Sequence, residues 1–396
     1  MKTVFAGHDQ KSDRSDCRIS LTLKNSGGPD IRLKSKVERL FGESIRQCCR
    51  EVMQAFSITH TLIEVSDNGA PEYVISARLE ACVKKLRKTA VEVLPELLPQ
   101  NTGGTEKDRL RRSRLYLPGN TPKLALNAGL HSGDGIILDL EDSVSPERKD
   151  EARILVRNTL RSVDFYGAER MVRINQGKAG FRDLEAVIPH HVNVILLPKC
   201  EDAEQVCETD RYIRKLCKEN GIDHEVWIMP IIESARGVMQ AYEIAGSAPS
   251  VAALAIGLED YTADIGVQRT AKGKESLFAR SQVVNAAKAH HIQAIDSVFS
   301  DVADMEALRN NVLESKALGF DGMGCIHPRQ IRVIHEAFSP TAEELEKAQK
   351  IVDAFREAEK KGLAVVAVGS KMIDPPVVRR ALKVMELTGK KNKQVF

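Results

Sequence analysis

Nothing in this sequence spaces cysteine or histidine for a metal cage. Its eight cysteines (Cys17, Cys48, Cys49, Cys82, Cys200, Cys207, Cys217 and Cys325) include no CxxC pair. They read as reduced thiols of a cytoplasmic protein, not as zinc ligands or a disulfide framework. Net charge is scarce as well. Lys and Arg number 58 against 55 Asp and Glu, a balance of +3 over 396 residues, which argues against nucleic acid as a partner. Long apolar runs are missing: Leu363 to Val368 falls far short of the roughly 20 residues a membrane helix needs, so no membrane partner is expected. The opening Met-Lys-Thr-Val-Phe-Ala-Gly turns polar at His8, before a signal-peptide core can form. No internal repeat is found. What is there is a chain 42% hydrophobic and 29% charged, which can bury a sizeable core. Its length suits two or three domains, or one large α/β barrel with something added.

One composition break divides the chain. Residues 98–108, Leu98-Pro-Gln-Asn-Thr-Gly-Gly-Thr-Glu-Lys-Asp108, have no apolar period and read as a linker. Before it, residues 1–97 read strand, strand, helix, strand, helix. Cys17 to Leu23 and Ile31 to Leu33 alternate apolar and polar, and Val37 to Phe56 carries apolar residues at helical spacing. Thr61 to Val65 is a third strand, closed by Asp67-Asn68-Gly69, and Glu72 to Val93 is a second helix. This is the pattern of a small α+β domain. After the linker, strand-like runs begin at Leu115, Gly135, Met171, Val192, Val226, Val251, Ile292 and Gly322, each followed by a helical segment. Eight such units in residues 109–340 predict an α/β fold, a closed (β/α)8 TIM barrel. An open doubly wound dinucleotide sheet is disfavoured, because no Gly-rich turn follows the first strand. Residues 341–396 add a C-terminal helical extension: a charged helix (Ala342 to Lys361), a short strand (Leu363 to Val368) and a helix from Pro375.

A barrel carries its chemistry where strands end and βα loops begin. The polar residues at those ends include Asp139-Leu-Glu-Asp-Ser143, Arg173-Ile-Asn175, Pro198-Lys199, Glu233-Ser-Ala-Arg-Gly237 and Gly257-Leu-Glu-Asp-Tyr261. Five consecutive strands thus deliver carboxylates, an Arg and a Lys to one rim. Glu233 and Asp260 come from adjacent strand ends, so their carboxylates can meet at one hard cation. Mg2+ accepts one or two protein carboxylates and completes its octahedron with water and substrate oxygens. Taken singly, each acid also reads as a helix N-cap or first-turn charge. Glu141 divides between supporting the site and capping the next helix. Arg173 leaves a strand of apolar neighbours, so its charge needs a partner: a substrate carboxylate or carbonyl, an ion pair with Glu141, or both. Lys199 admits a Schiff-base role, which the metal reading displaces.

From Arg112 to Gly389 the chain resembles the citrate lyase beta subunit, within the citramalyl- and malyl-CoA lyase superfamily of HpcH/HpaI aldolase-like barrels. The stretches that carry the resemblance include Arg112-Ser-Arg-Leu-Tyr-Leu-Pro-Gly-Asn120, Asp139-Leu-Glu-Asp-Ser-Val144, Val172-Arg-Ile-Asn175 and Leu197-Pro-Lys199. They continue through Ile232-Glu-Ser-Ala-Arg-Gly237, Gly257-Leu-Glu-Asp-Tyr261, Leu277-Phe-Ala-Arg280, Ile326-His-Pro-Arg-Gln330 and Lys371-Met-Ile-Asp374. The resemblance implies a TIM barrel with Mg2+ on Glu233 and Asp260, Arg173 on the substrate oxygens and Glu141 in support. It implies that Asp374 serves as acid or base from a neighbouring subunit, and hence a homo-oligomer; on spacing alone Asp374 is an N-cap before Pro375. The implied activity is retro-Claisen cleavage of a citryl thioester to oxaloacetate and an acetyl thioester, or cleavage of citramalyl-CoA or malyl-CoA.

The first hundred residues resemble the acyl carrier (gamma) subunit of the same enzyme. Ser35 to Gly42, Asp67-Asn-Gly-Ala70 and Ala77-Arg-Leu-Glu-Ala81 carry the match. In that family a serine holds a CoA-derived phosphopantetheine arm. Here Asp13-Arg14-Ser15-Asp16 puts Arg14 at the serine's place and Ser15 one residue along. Two readings stay open, an arm on Ser15 or an unmodified assembly module that docks the barrel to partners such as an acyltransferase (alpha) subunit.

Overall fold

Alternation of buried and exposed side chains builds the first sheet. The strands β1 (Thr3–Gly7), β2 (Cys17–Leu23), β3 (Pro29–Ser35) and β4 (Thr61–Asp67) stand in the order β1-β2-β4-β3, with β3 parallel to β4 and the other pairs antiparallel. Two helices, α1 (Glu38–Ala55) and α2 (Glu72–Leu86), cover it. Ile19, Leu21, Ile63 and Val65 from the sheet, Val52 and Met53 from α1, and Val74, Leu79 and Val83 from α2 are buried. The sequence pattern misses β1, a five-residue strand paired on one side only. It also overruns α2, which stops at Leu86 because Arg87 turns extended (φ −145°, ψ 144°). Beyond that point the Val93 amide donates to Glu80 and its carbonyl accepts from Arg157.

The remainder of this unit is the barrel. Its strands are β5 (Ser113–Pro118), β6 (Gly135–Asp139), β7 (Glu169–Arg173), β8 (Val194–Leu197), β9 (Trp227–Ile232), β10 (Ala253–Ile256), β11 (Gln293–Asp296) and β12 (Gly322–Cys325). All pair in parallel, and β12 closes on β5. All eight expected strands are present. The intervening helices are α3 (Pro122–Ala125), α4 (Lys149–Ser162), α5 (Gly177–Val187), α6 (Ala203–Asn220), α7 (Ala235–Met239), α8 (Ala241–Ala245), α9 (Leu258–Asp264), α10 (Leu277–Ala289), α11 (Met305–Leu318) and α12 (Pro328–Phe338). The bore is filled by inward side chains such as Ile137, Met171, Leu196, Met229, Ile231 and Ile295. The expected linker lies along the barrel: the Asn101 amide donates to the carbonyls of Leu160 and Val163, and Trp227 donates to Thr105.

Residues 2–8, 14–360, 366–368 and 371–386 are described by this computed structural model. They divide into two units between Ile331 and Arg332. In the second unit α13 (Ala342–Lys360) starts at a reciprocal cap between Thr341 and Glu344. A two-stranded ribbon, β13 (Val366–Val368) and β14 (Lys371–Ile373), leads into α14 (Pro375–Glu386). Val352 and Ala381 join α13 to α14, and Phe355 packs with Ile373 and Val378. Leu363 and Asp13 lie outside the described residues. Among the described residues, no helix is long and apolar enough to cross a membrane.

Candidate active site

The strand ends named above open on one cavity of about 900 Å3, lined by Tyr116, Asp139, Arg173, Glu233 and Asp260 among others. Parallel pairing sets Asp139 beside Arg173, since the two are register partners on β6 and β7. The guanidinium forks onto the carboxylate, Nε to Oδ1 at 2.7 Å and Nη2 to Oδ2 at 2.8 Å. Its third nitrogen, Nη1, lies 3.0 Å from Glu141 Oε2, and its carbon sits 5.5 Å from the centre of the Tyr116 ring. Asp139 also accepts from the amides of Glu141 (3.0 Å) and Ser143 (3.1 Å), which fixes the loop carrying Glu141. Burial works to raise the Asp139 pKa, but the Arg173 fork outweighs it and holds the carboxyl below its ordinary range. Asp139 was absent from the expected site residues. Strand alternation puts it on the same inward face as Ile137, but its pairing with Arg173 shows only in the β6–β7 register.

Lys199 follows β8 in a left-handed conformation, φ +49°, which a side chain other than glycine seldom adopts without a local reason. The turn aims two groups at the site. Its amide donates to Glu233 Oε1 at 2.6 Å, and its ammonium pairs with Glu141. Glu141 is therefore buried between two cations; burial pushes its pKa up and Lys199 and Arg173 oppose the rise. The Lys199 pKa is raised despite its burial, because Glu141 binds the charged form. That is the reverse of what an amine nucleophile requires.

Glu233 follows β9 and Asp260 lies in the first turn of α9, after β10. Glu233 is buried, and Asp260 is half exposed. Burial, with the Asp260 charge as a further cause, pushes the Glu233 carboxyl up to about 7. Gly257 makes room for it, since a Cβ there would stand 2.5 Å from Glu233 Oε2. A buried carboxyl that a neighbouring carboxylate makes costlier to charge, in a partly open cavity, fits a divalent cation that relieves the repulsion. Among the described residues, no group of three or more His, Cys, Asp or Glu side chains is disposed around one ion. The pair suits Mg2+, which takes its remaining ligands from water and substrate, and not a closed zinc cage.

Asp374 lies in the second unit. There it caps α14, the Val377 amide donating to Oδ1 at 3.2 Å. Ser15 lies in the turn before β2 with φ +60°, its amide donating to the Asn68 carbonyl. The next residue, Asp16, is buried and forked by Arg78, which also donates to the carbonyl of Asn120 in the loop after β5.

Residues 112–328 match the model of the HpcH/HpaI aldolase/citrate lyase family, and residues 2–86 that of the malonate decarboxylase delta subunit, an acyl-carrier model. The citrate lyase subunit beta of Leuconostoc mesenteroides subsp. cremoris is 39% identical over 71% of this chain and 94% of its own. The mitochondrial citramalyl-CoA lyase of Mus musculus is 33% identical over 70% of this chain and 86% of its own. Among solved structures, CitE of Mycobacterium tuberculosis in complex with magnesium, acetoacetate and coenzyme A superposes with a TM-score of 0.60 at 31% identity. The match covers 72% of this chain and all of that one. A citrate lyase beta subunit from M. tuberculosis complexed with oxaloacetate and magnesium gives a TM-score of 0.51 at 31% identity, over 60% of this chain and all of that one.

Proposed function

The chain belongs to the HpcH/HpaI aldolase/citrate lyase family, and on that premise we propose that it cleaves a citryl thioester to oxaloacetate and an acetyl thioester. It is a carbon–carbon lyase. The observation that carries the reading is the single cavity onto which the forked Arg173 and the Glu233–Asp260 pair both open.

Glu233 and Asp260 would hold Mg2+, with the Lys199 amide fixing the orientation of Glu233. When bound, the ion polarises the hydroxyl and carboxylate oxygens of the substrate. The reaction removes the proton of the tertiary hydroxyl, and the O–H pair becomes the C=O of the keto acid. The Cα–Cβ bond breaks, and its electrons pass to the acetyl thioester as an enolate, which then takes a proton at carbon. Arg173 is placed to stabilise the enolate oxygen, and because Asp139, Glu141 and Tyr116 already fix it, little reorganisation is needed. Asp374, from the C-terminal unit of a neighbouring copy, would move the proton. The buried Glu141 holds Arg173 and Lys199 in register.

The N-terminal domain is read as a carrier-derived module. Asp16 and Arg78 tie its Ser15 turn to the loop after β5, which supports delivery of a thioester from this domain. Intact mass of the protein from its native host decides the point: an arm on Ser15 means chain-bound substrate, and an unmodified mass means free CoA thioester. The lyase reading is tested with the full chain, Mg2+ and citryl-CoA, citramalyl-CoA or malyl-CoA. Oxaloacetate release is expected. Pyruvate release from citramalyl-CoA alone would assign the second reading, which the likeness to the mouse enzyme favours, and no turnover of any thioester would refute the class.

A further inference from the structure

Deep in the cavity lies a cation that neither the fold nor the reaction above employs. Arg114, on β5, alternates inward with Tyr116 and is only 1% exposed. In the closed barrel β5 stands opposite β9. The Arg114 guanidinium reaches across the bore to β9, where Nη1 donates to the Met229 thioether sulfur at 2.8 Å. A thioether is a weak acceptor for a full charge, and Nε has no acceptor among the described residues. Burial with so little compensation pushes the Arg114 pKa below the ordinary arginine value.

Other buried arginines of this chain are matched. Arg111 meets Glu169, Arg157 meets Glu80 and Arg280 meets Asp296. Arg170 donates to the backbone carbonyls of Gly103 and His191. Arg114 differs from them in a second way, because it lines the cavity. Beside it the cavity wall is cut back to a glycine: Gly324, the register partner of Arg114, lines the same cavity. A Cβ on Gly324 would come within 3.2 Å of the Tyr116 ring. Tyr116, under Arg173, is two residues and about 7 Å further along the strand. A –CH2–COO− arm descending from the reacting carbon reaches about 3.5 Å, and a hydrogen bond of about 2.9 Å to the guanidinium covers most of the remaining height.

We propose that Arg114 anchors a terminal carboxylate on the arm of the substrate that stays with the keto-acid product. The bore then selects a thioester ending in a second carboxylate over one ending in a methyl group. This rests on the retro-Claisen reading, in which the first substrate leaves oxaloacetate and the second pyruvate. The planar fork of the guanidinium matches a carboxylate. A methyl group in its place leaves the buried charge unpaired, which is the penalty that lets polar pockets reject isosteres.

The test uses the full chain with Mg2+ as wild type, Arg114→Met and Arg114→Lys. Oxaloacetate and pyruvate binding are measured by calorimetry, and kcat/KM on citryl-CoA and citramalyl-CoA by keto-acid release. Wild type is expected to bind oxaloacetate about 10- to 100-fold more tightly than pyruvate. Arg114→Met should lose that preference while binding pyruvate at least as well, Arg114→Lys should keep part of it, and the ratio of the two kcat/KM values should move in parallel. A folded Arg114→Met with the wild-type preference overturns the proposal, and so does a wild type with none. If Arg114→Met does not fold, Arg114→Gln takes its place under the same criteria. If wild type cleaves neither thioester, the lyase reading fails on its own, and the binding ratio still decides the role of Arg114.

Discussion

Glu80 of the N-terminal domain and Arg157 of the barrel form a two-pronged ion pair, Nη1 to Oε1 at 2.9 Å and Nη2 to Oε2 at 2.8 Å, with both side chains buried. Asn158, beside Arg157, donates to the Tyr73 carbonyl, and Lys85 meets the buried Glu151. Such a seam clamps a domain only while every charge is matched. Glu80→Ala leaves Arg157 buried without its main partner and should destabilise the docked domain by about 3–5 kcal/mol. Urea denaturation with hydrogen exchange across α2 measures it. The double variant Glu80→Met with Arg157→Met should recover part of the loss, because an apolar pair carries no orphaned charge. Unchanged protection of α2 in Glu80→Ala would reject the clamp.

The seam carboxylates and Glu233 give the pH dependence opposite signs. Burial would raise the Glu80 pKa, but Arg157 and Lys84 hold it below its ordinary value, and His8 and Arg78 do the same for Asp16. Their stabilising effect is present above the unfolded-state pKa and is lost as pH falls through the lower folded-state values. The seam should therefore loosen in acid, below about pH 4. Glu233 runs the other way. Its folded-state pKa, pushed up to about 7, means the metal-free fold binds the extra proton, so stability falls as pH rises through that window. Mg2+ bound as proposed would replace the proton there. Thermal melts should show a larger Mg2+-dependent rise in Tm at pH 8 than at pH 5.5, and Glu233→Gln should abolish the difference.

The barrel was legible because eight apolar runs recur with helices between them, and each of the eight became a strand. The rim acids were legible because a strand end followed by a helix start marks a βα loop. Three features were not. Asp139 looked like a member of an acidic turn, and only the β6–β7 register puts it against Arg173. Arg114 sits in a run that reads as a strand whatever its charge, and its want of an acidic partner is visible only across the bore. The seam joins Glu80 to Arg157, residues far apart in sequence on two helices that each look amphipathic alone.

The Arg173–Asp139 fork makes a separable prediction about catalysis. Asp139→Asn removes the anionic partner while keeping the shape, so Arg173 should swing toward Glu141 and away from its place on Tyr116. Since Arg173 is assigned to enolate charge, the loss should fall on kcat, with KM for the thioester little changed. Arg173→Met should cost about 100- to 1000-fold in kcat, and Asp139→Asn a smaller part of that. Steady-state kinetics separate the two terms; a change confined to KM would move Arg173 from charge stabilisation to ground-state binding.

Asp374 and Glu233 supply the prediction that reaches beyond one chain. Asp374 caps α14 in the second unit, whereas Glu233 faces the barrel cavity. If Asp374 completes the cavity of a neighbouring copy, then Asp374→Ala and Glu233→Gln are each inactive but fail at different halves of a shared site. Mixed after reversible dissociation, the two variants re-form some sites that combine an intact barrel with an intact C-terminal unit. Random equimolar mixing should restore about a quarter of wild-type activity whatever the closed ring size, since each half of a site is intact with even odds. Mass analysis of the mixed oligomers checks that exchange took place. With exchange established, activity that stays at the level of the separate variants would place Asp374 in its own chain's cavity or outside the reaction. A chain carrying both substitutions, mixed with wild type, gives the complementary arm: activity should fall below half, because some wild-type barrels then meet a defective neighbour.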